Sequence, residues 1–182
     1  MKKLPVDLED LAMAFETERS IFDYFFDLET GETIMVTEET RAELEGLYEL
    51  ADEDDPEAEI DLPALLAQEG IEGWEAERLL EADRVEREFG VRMVRVPHTE
   101  SRVGYRDMEA FIDTVEDARL ANLLSYAIQG RGAFRRFKDV LLDHEPERQR
   151  WFAFKDQRVE QRVVEWLAKY EIEPVVETDA GS

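Results

Sequence analysis

Two short segments hold most of the side chains able to bind or activate a ligand. In "GRGAFRRFKDVL", Gly130 to Leu141, Arg131 stands between two glycines and is followed by Arg135, Arg136 and Lys138. Gly-Arg-Gly ahead of a helix can form a backbone nest for an anion, and the helix start adds partial positive charge. Arginine forks suit bidentate contacts to phosphate or carboxylate. No Gly-Lys-Ser/Thr follows, so this is not a nucleotide P-loop. The same residues have a plainer use. The glycines then turn a helix joint, Phe134, Phe137 and Leu141 pack inward, and Asp139 pairs with Arg135 four residues before it. "ERQRWFAFK", Glu147 to Lys155, interleaves Arg148, Arg150 and Lys155 with Trp151, Phe152 and Phe154. Bases and phosphates bind surfaces of that kind. As core, the same aromatics leave Trp151 or Phe154 at a rim.

Other candidates are sparser. His98 has Thr99, Glu100 and Ser101 beside it. Catalytic partners meet in space and rarely in sequence, so Ser101 is read as the start of a helix and not as a nucleophile. His144, in "LLDHEPER", falls where one helix ends, a position that suits a partly charged imidazole. Neither histidine has a partner at metal-ligand spacing. Asp52, Glu53, Asp54 and Asp55 lack the alternation, bend glycine and closing glutamate of a calcium loop, so they read as a solvated acidic run. Asp27, Glu29 and Glu32 in a hairpin turn offer carboxylates for acid–base work, but turns are ordinary places for acids. No cofactor and no metal is expected.

Composition bounds the function classes. The chain has 182 residues, a formal charge of −24, 43% hydrophobic residues and no cysteine. It is large enough for a real core and is not disordered overall. Absent cysteines exclude disulfides, thiol catalysis and cysteine-bound zinc, and they suit a reducing cytoplasm. No apolar run is long enough to span a membrane, and "MKKLPVDLEDL" lacks the apolar stretch of a signal peptide. Residues 1–100 carry 9 basic against 30 acidic side chains, whereas residues 131–162 carry 9 against 6. Such a field disfavours nonspecific binding to nucleic acid, and it leaves the later segment locally positive.

The elements that must position these side chains follow from periodicity. Asp7 caps a helix over about 8–18, with Leu8, Leu11, Ala12 and Phe15 along it. Phe22, Tyr24 and Phe26 then alternate with acids, and Ile34 and Val36 follow a turn at Gly31, which predicts a β-hairpin. Thr37 starts a helix to about Leu50, and the acidic run from Ala51 to Asp61 reads as a loop. Helices over Pro63–Gln68 and Trp74–Phe89, the latter with Leu79, Leu80 and Val85 inward and Gly90 behind it, lead to a short strand in "VRMVRVP". That strand can join the hairpin in one antiparallel sheet. The rest is helical. One stripe holds Met108, Phe111, Ile112 and Val115, another Leu120, Leu123, Leu124 and Ile128. Ala133–Leu142 is a helix, and Pro146 opens the last one, with Val159, Val163, Trp166 and Tyr170.

The expected fold is α+β: an N-terminal helix and small antiparallel sheet with a hairpin, then a mostly helical C-terminal half. It divides into an acidic region over 1–97, a helical region with a basic-aromatic surface over 98–172, and a tail over 173–182. "FDLETGE", "RDMEAFIDTVED", "GRGAFRRFKDVL" and "RWFAFKDQR", in that order, resemble the bacterial uncharacterised protein family 0158. The resemblance implies a bacterial, cytoplasmic protein and brings no catalytic residue with it. The expected function is a non-enzymatic binding or regulatory module. Arg131, Arg135, Arg136, Lys138, Arg150 and Trp151 would engage an acidic protein surface, including that of a second copy, or a phosphate-bearing ligand. The rival readings are a carboxylate-based hydrolase, with or without a metal, and an acidic mimic of nucleic acid.

Overall fold

The computed structural model describes residues 1–18, 22–54 and 59–175. It is α+β. The chain runs β1 (Lys2–Pro5), α1 (Leu8–Glu16), β2 (Phe22–Asp27), β3 (Thr33–Thr37), α2 (Glu38–Asp54), α3 (Leu62–Gln68), α4 (Gly73–Arg87) and β4 (Met93–Arg95). It continues through α5 (Ser101–Ile112), α6 (Ala118–Ala127), α7 (Ala133–Leu142), α8 (Glu145–Ala168) and β5 (Ile172–Val175).

The hairpin is where alternation predicts it. β2 is the central strand of an antiparallel sheet ordered β3-β2-β4, with Phe25 opposite both Ile34 and Arg95. Gly31 turns the chain at φ +84°, and a Cβ there would stand 2.1 Å from the carbonyl oxygen of Pro5. Backbone conformation and close approach both demand glycine. Asp7 caps α1 by accepting the amides of Glu9 and Asp10 at 3.0 Å, and Thr37 caps α2 through the amide of Thr40 at 3.1 Å.

Several expectations are corrected. α1 stops at Glu16, not 18, and α2 runs on to Asp54, so the first acids of the presumed loop are helical. Of the remainder of that run, 55–58 lie outside the described residues, and Asp61 caps α3 by accepting the Ala64 amide at 3.1 Å. The sequence reading has no strand before α1 and starts a tail at Glu173. Instead β1 and β5 pair in parallel, Lys2 opposite Ile172 and Leu4 opposite Pro174. Pro5 and Pro174 are tolerated because neither strand has a second neighbour. Leu80, Leu123 and Tyr170, expected inside, are exposed, as is Phe134.

Three hydrophobic clusters form the interior. The first joins Leu4, Leu11, Phe15, Phe26 and Val96 to Val163 and Leu167 of α8. The second packs α2, α3 and α4 on the other face of the sheet, around Phe25, Leu44, Leu62, Leu79 and Met93. The third joins α5, α6, α7 and the start of α8 around Met108, Phe111, Leu124, Phe137 and Trp151. α8 serves two clusters because its buried positions shift from Trp151 to Val159, Val163 and Trp166 along 24 residues. Among the described residues no helix is long and apolar enough to cross a membrane.

Candidate functional site

The Gly130-Arg131-Gly132 joint has the opposite polarity to an anion nest. Gly130 and Gly132 adopt φ of +76° and +75°, which turns the chain between α6 and α7. Carbonyls converge there, and they hold the protein's own Arg136. Its Nε donates to the Ala127 carbonyl at 2.8 Å, and its terminal nitrogens donate to the carbonyls of Gln129 and Arg131. The guanidinium thereby satisfies acceptors left at the end of α6. Arg136→Ala should lower stability by about 1–2 kcal/mol in urea unfolding, the range of charge-assisted hydrogen bonds, while Arg135→Ala stays within about 0.5 kcal/mol.

The other flagged residues separate. Trp151 is 6% exposed and packs edge-on against Phe111 and Phe137, with ring centroids 5.3 and 4.8 Å away. Arg150 pairs with Glu147, donates to Thr114 Oγ1 at 2.9 Å and lies 5.4 Å over the Phe111 ring. Arg135 is 88% exposed, with Asp139 3.9 Å away. Arg131 and Lys138 are exposed and have no ion-pair partner among the described residues.

Lys138 and Trp151 share one feature: both line a cavity of about 310 Å³. Its walls come from the end of α1 (Glu16), the segment before α5 (His98, Thr99), α5 itself (Ser101, Asp107), α7 (Phe134, Lys138) and α8 (Lys155). Phe134, expected in the core, instead covers Gly104 of α5, where an added Cβ would meet its ring at 3.1 Å. The Thr99 amide donates to the Phe15 carbonyl at 2.7 Å and so fastens the 98–100 segment to α1. The first turn of α5 carries no side-chain cap.

Most charges at this cavity are already matched. Asp107, 2% exposed, is gripped by Arg158 Nε at 3.0 Å and by both terminal nitrogens of Arg162, at 3.1 and 2.6 Å. Lys155 Nζ lies 2.8 Å from Glu16 Oε2. Burial pushes the Glu16 carboxyl up, but hydrogen bonding from Lys155, the nearby Thr99 hydroxyl and the charges of Lys155 and Arg162 outweigh it. The group is held below the ordinary carboxylate range. Thr99 Oγ1, His98 Nδ1 and Glu16 Oε1 are all buried, and the Thr99 hydroxyl lies near enough to the Glu16 carboxylate to help lower it.

His98, Thr99, Ser101 and Lys155 stand out in the sequence only as separate residues, and Glu16 and Asp107 do not stand out as candidates. Asp107 does carry a signal: it lies one turn before buried Phe111, a charge set into an apolar stripe. Of the hairpin acids, Asp27 is tied into the fold, whereas Glu29 and Glu32 are exposed. Both oxygens of fully buried Asp27 receive the Arg92 guanidinium, at 2.8 and 2.6 Å. A smaller cavity of about 240 Å³, over Phe25, Val36, Ala82 and Phe89, contains none of the flagged residues, and its Arg41 and Arg95 both turn to Asp23. Among the described residues no group of three or more histidine or acidic side chains is placed to hold a metal ion.

The model of the Uncharacterised protein family (UPF0158) matches residues 75–181, which include the α5, α7 and α8 walls of the larger cavity but not Glu16. The chain is also similar to UPF0158 protein PA5073 of Pseudomonas aeruginosa. Identity is 25% over 174 residues, covering 96% of this chain and 88% of that protein. No solved structure matches the chain.

Proposed function

The chain belongs to the Uncharacterised protein family (UPF0158), and on that premise we propose that it is a non-enzymatic binding module that takes a small phosphate-bearing ligand in the cavity among α1, α5, α7 and α8. A bacterial cytoplasmic setting accompanies this reading. One observation carries it. Lys138 is the cationic wall residue without an ion-pair partner among the described residues, whereas Lys155 is matched by Glu16. Glu18 and Glu100 also line the cavity, but no carboxylate among the described residues lies at ion-pair distance from Lys138. An unpaired ammonium beside an aromatic wall is an anchor for an anionic group. The first turn of α5 adds partial positive charge on another wall, beside the carboxylate of its N-cap residue Glu100.

Three of the four segments that carry the family resemblance meet at this cavity, through Asp107, Phe134 with Lys138, and Trp151 with Lys155. The acidic-protein reading loses support, because its intended anchor Trp151 lies in the core and Arg136 is consumed by the α6–α7 joint. Arg131 and Arg135 remain exposed near the start of α7, and they add positive potential to an otherwise acidic molecule.

Titration of the protein with inorganic phosphate, followed by two-dimensional NMR, tests the reading. Saturable shifts should appear at the amides of residues 98–101 and 137–138. Lys138→Ala should weaken binding about tenfold, the effect of losing roughly 1.4 kcal/mol, and Arg135→Ala less than twofold. Absence of saturable shifts, or equal affinity in Lys138→Ala, overturns it.

A further inference from the structure

We infer that the free edge of β3 pairs antiparallel with β3 of a second copy, about a two-fold axis at Met35, and joins two three-stranded sheets into one. No residue of this edge lines the cavity among α1, α5, α7 and α8.

β3 is an outer strand of the order β3-β2-β4. The Asp27 amide donates to the Glu32 carbonyl at 2.9 Å, which fixes the phase of the ladder. From there, Ile34 opposite Phe25 and Val36 opposite Asp23 turn their backbone groups toward β2. Thr33, Met35 and Thr37 turn theirs the other way. Among the described residues nothing is bonded to the outward amides and carbonyls of Thr33 and Met35, and the Met35 side chain is 50% exposed.

The other strands are guarded. β1 carries Lys2, Lys3 and Pro5, and β5 carries Glu173 and Pro174. The outer side of β4 is closed, because the Met93 amide donates to the Glu88 carbonyl at 3.0 Å and its carbonyl accepts the Gly90 amide at 2.8 Å. Charge, proline and a covering segment are the usual means of keeping a sheet edge from pairing. β3 has none of them. Its "TIMVT" is uncharged in a chain of which 37% is charged.

The strand also fits itself, which singles out a second copy over a strand of some other protein. A two-fold contact sets each residue against its mirror position. With Met35 on the axis, Met35 meets Met35 of the other copy, Ile34 meets Val36 and Thr33 meets Thr37. Apolar faces apolar and hydroxyl faces hydroxyl, the favourable cross-strand pairs. The two Met35 residues exchange backbone bonds, and each Thr37 amide donates to the opposite Thr33 carbonyl. Charge opposes the contact. Each copy carries −24, and Glu32 and Glu38 bracket the strand, each with an arginine 3.8 Å away. Salt that screens this repulsion therefore tightens the pair.

Sedimentation equilibrium and amide hydrogen exchange on the full chain test the pairing. A reversible dimer is expected, with a dissociation constant that falls at least threefold between about 0.15 M and 1 M salt. As the dimer fills, exchange of the Met35 amide should slow at least tenfold, and far more than exchange at Ile34 and Val36, which β2 already holds. Met35→Lys should weaken the dimer at least tenfold and leave the melting temperature within about 2 °C, the side chain being half exposed. That variant is less negative than the native chain, so long-range repulsion would not explain its loss. Leu123→Lys, at an exposed leucine of α6, should dimerise as the native chain does. Exchange in the native chain reads the same contact without any substitution. A chain still monomeric at about 1 mM in high salt overturns the inference. So does a dimer in which Met35 is slowed no more than its neighbours, or one that Met35→Lys leaves intact. A dimer that salt weakens overturns it too, and marks a contact between acidic and basic surfaces instead.

Discussion

Asp27→Ala is expected to cost about 3 kcal/mol at pH 7, because removing one member of a buried ion pair strands the other. Asp27 is fully buried. It accepts Arg92 on both oxygens and the amides of Glu29 and Thr30 at 2.8 and 3.3 Å. It therefore joins the hairpin turn to the segment between α4 and β4, where Arg92 also contacts Glu88 at 3.4 Å. Burial by itself would raise its pKa. Arg92 and the two amides reverse that and hold it at about 2, against an ordinary 3.8.

The sign of the pH dependence follows. A depressed carboxyl stabilises the folded state fully above its unfolded pKa and loses that contribution as pH falls through the folded one. The drop to about 2 corresponds to roughly 2 kcal/mol. Urea unfolding from pH 7 down to pH 2 should show native and Asp27→Ala curves approaching each other between about pH 4 and pH 2. A constant gap across that window would mean that the carboxylate charge contributes nothing, and that the loss comes from the turn alone.

Asp107→Ala should be as costly, at about 3 kcal/mol, for a related reason. Its side chain is 3% exposed and receives two guanidiniums one turn apart on α8, those of Arg158 and Arg162. Without it, Arg162, itself only 22% exposed, loses both of its hydrogen bonds to carboxylate and keeps only the longer-range charge of Glu16. Arg158→Ala should cost much less, because that guanidinium is 41% exposed and Arg162 still neutralises Asp107. Denaturant midpoints of the two variants measure the difference. A loss below about 1 kcal/mol for Asp107→Ala would show that the apolar contacts alone hold α5 to α8.

Both residues could be read from the sequence as acids, and neither could be read as a lock. Asp27 looks like any turn carboxylate until Arg92, 65 residues later, is folded against it. The nest reading at Gly130–Gly132 fails similarly. Two glycines and an arginine fit an amide cradle as well as a carbonyl cradle, and the choice depends on where Arg136 turns after α7 has packed. Phe134, at helical spacing from Phe137, reads as core. It is displaced to the cavity mouth because α5 offers Gly104 there and not a side chain.

What the sequence determined by itself is whatever repeats along it. Helical stripes such as Met108, Phe111, Ile112 and Val115 bury as their spacing demands, whereas β2 is covered on both faces, with Phe25, Phe26 and Asp27 all buried. Caps at Asp7 and Thr37 are equally local, since each side chain reaches an amide two or three residues on. Only the tertiary structure decided the β1–β5 pair, four residues each from nearly opposite ends of the chain, with no alternation long enough to read. It also decided the cavity. Glu16, His98, Thr99, Lys138 and Lys155 belong to separate segments, and nothing in their own neighbourhoods relates them. They meet because α8 spans two hydrophobic clusters and brings the end of α1 beside α5 and α7. Periodicity is a property of one segment in solvent, whereas a binding site is a property of several segments after their apolar faces have chosen one another.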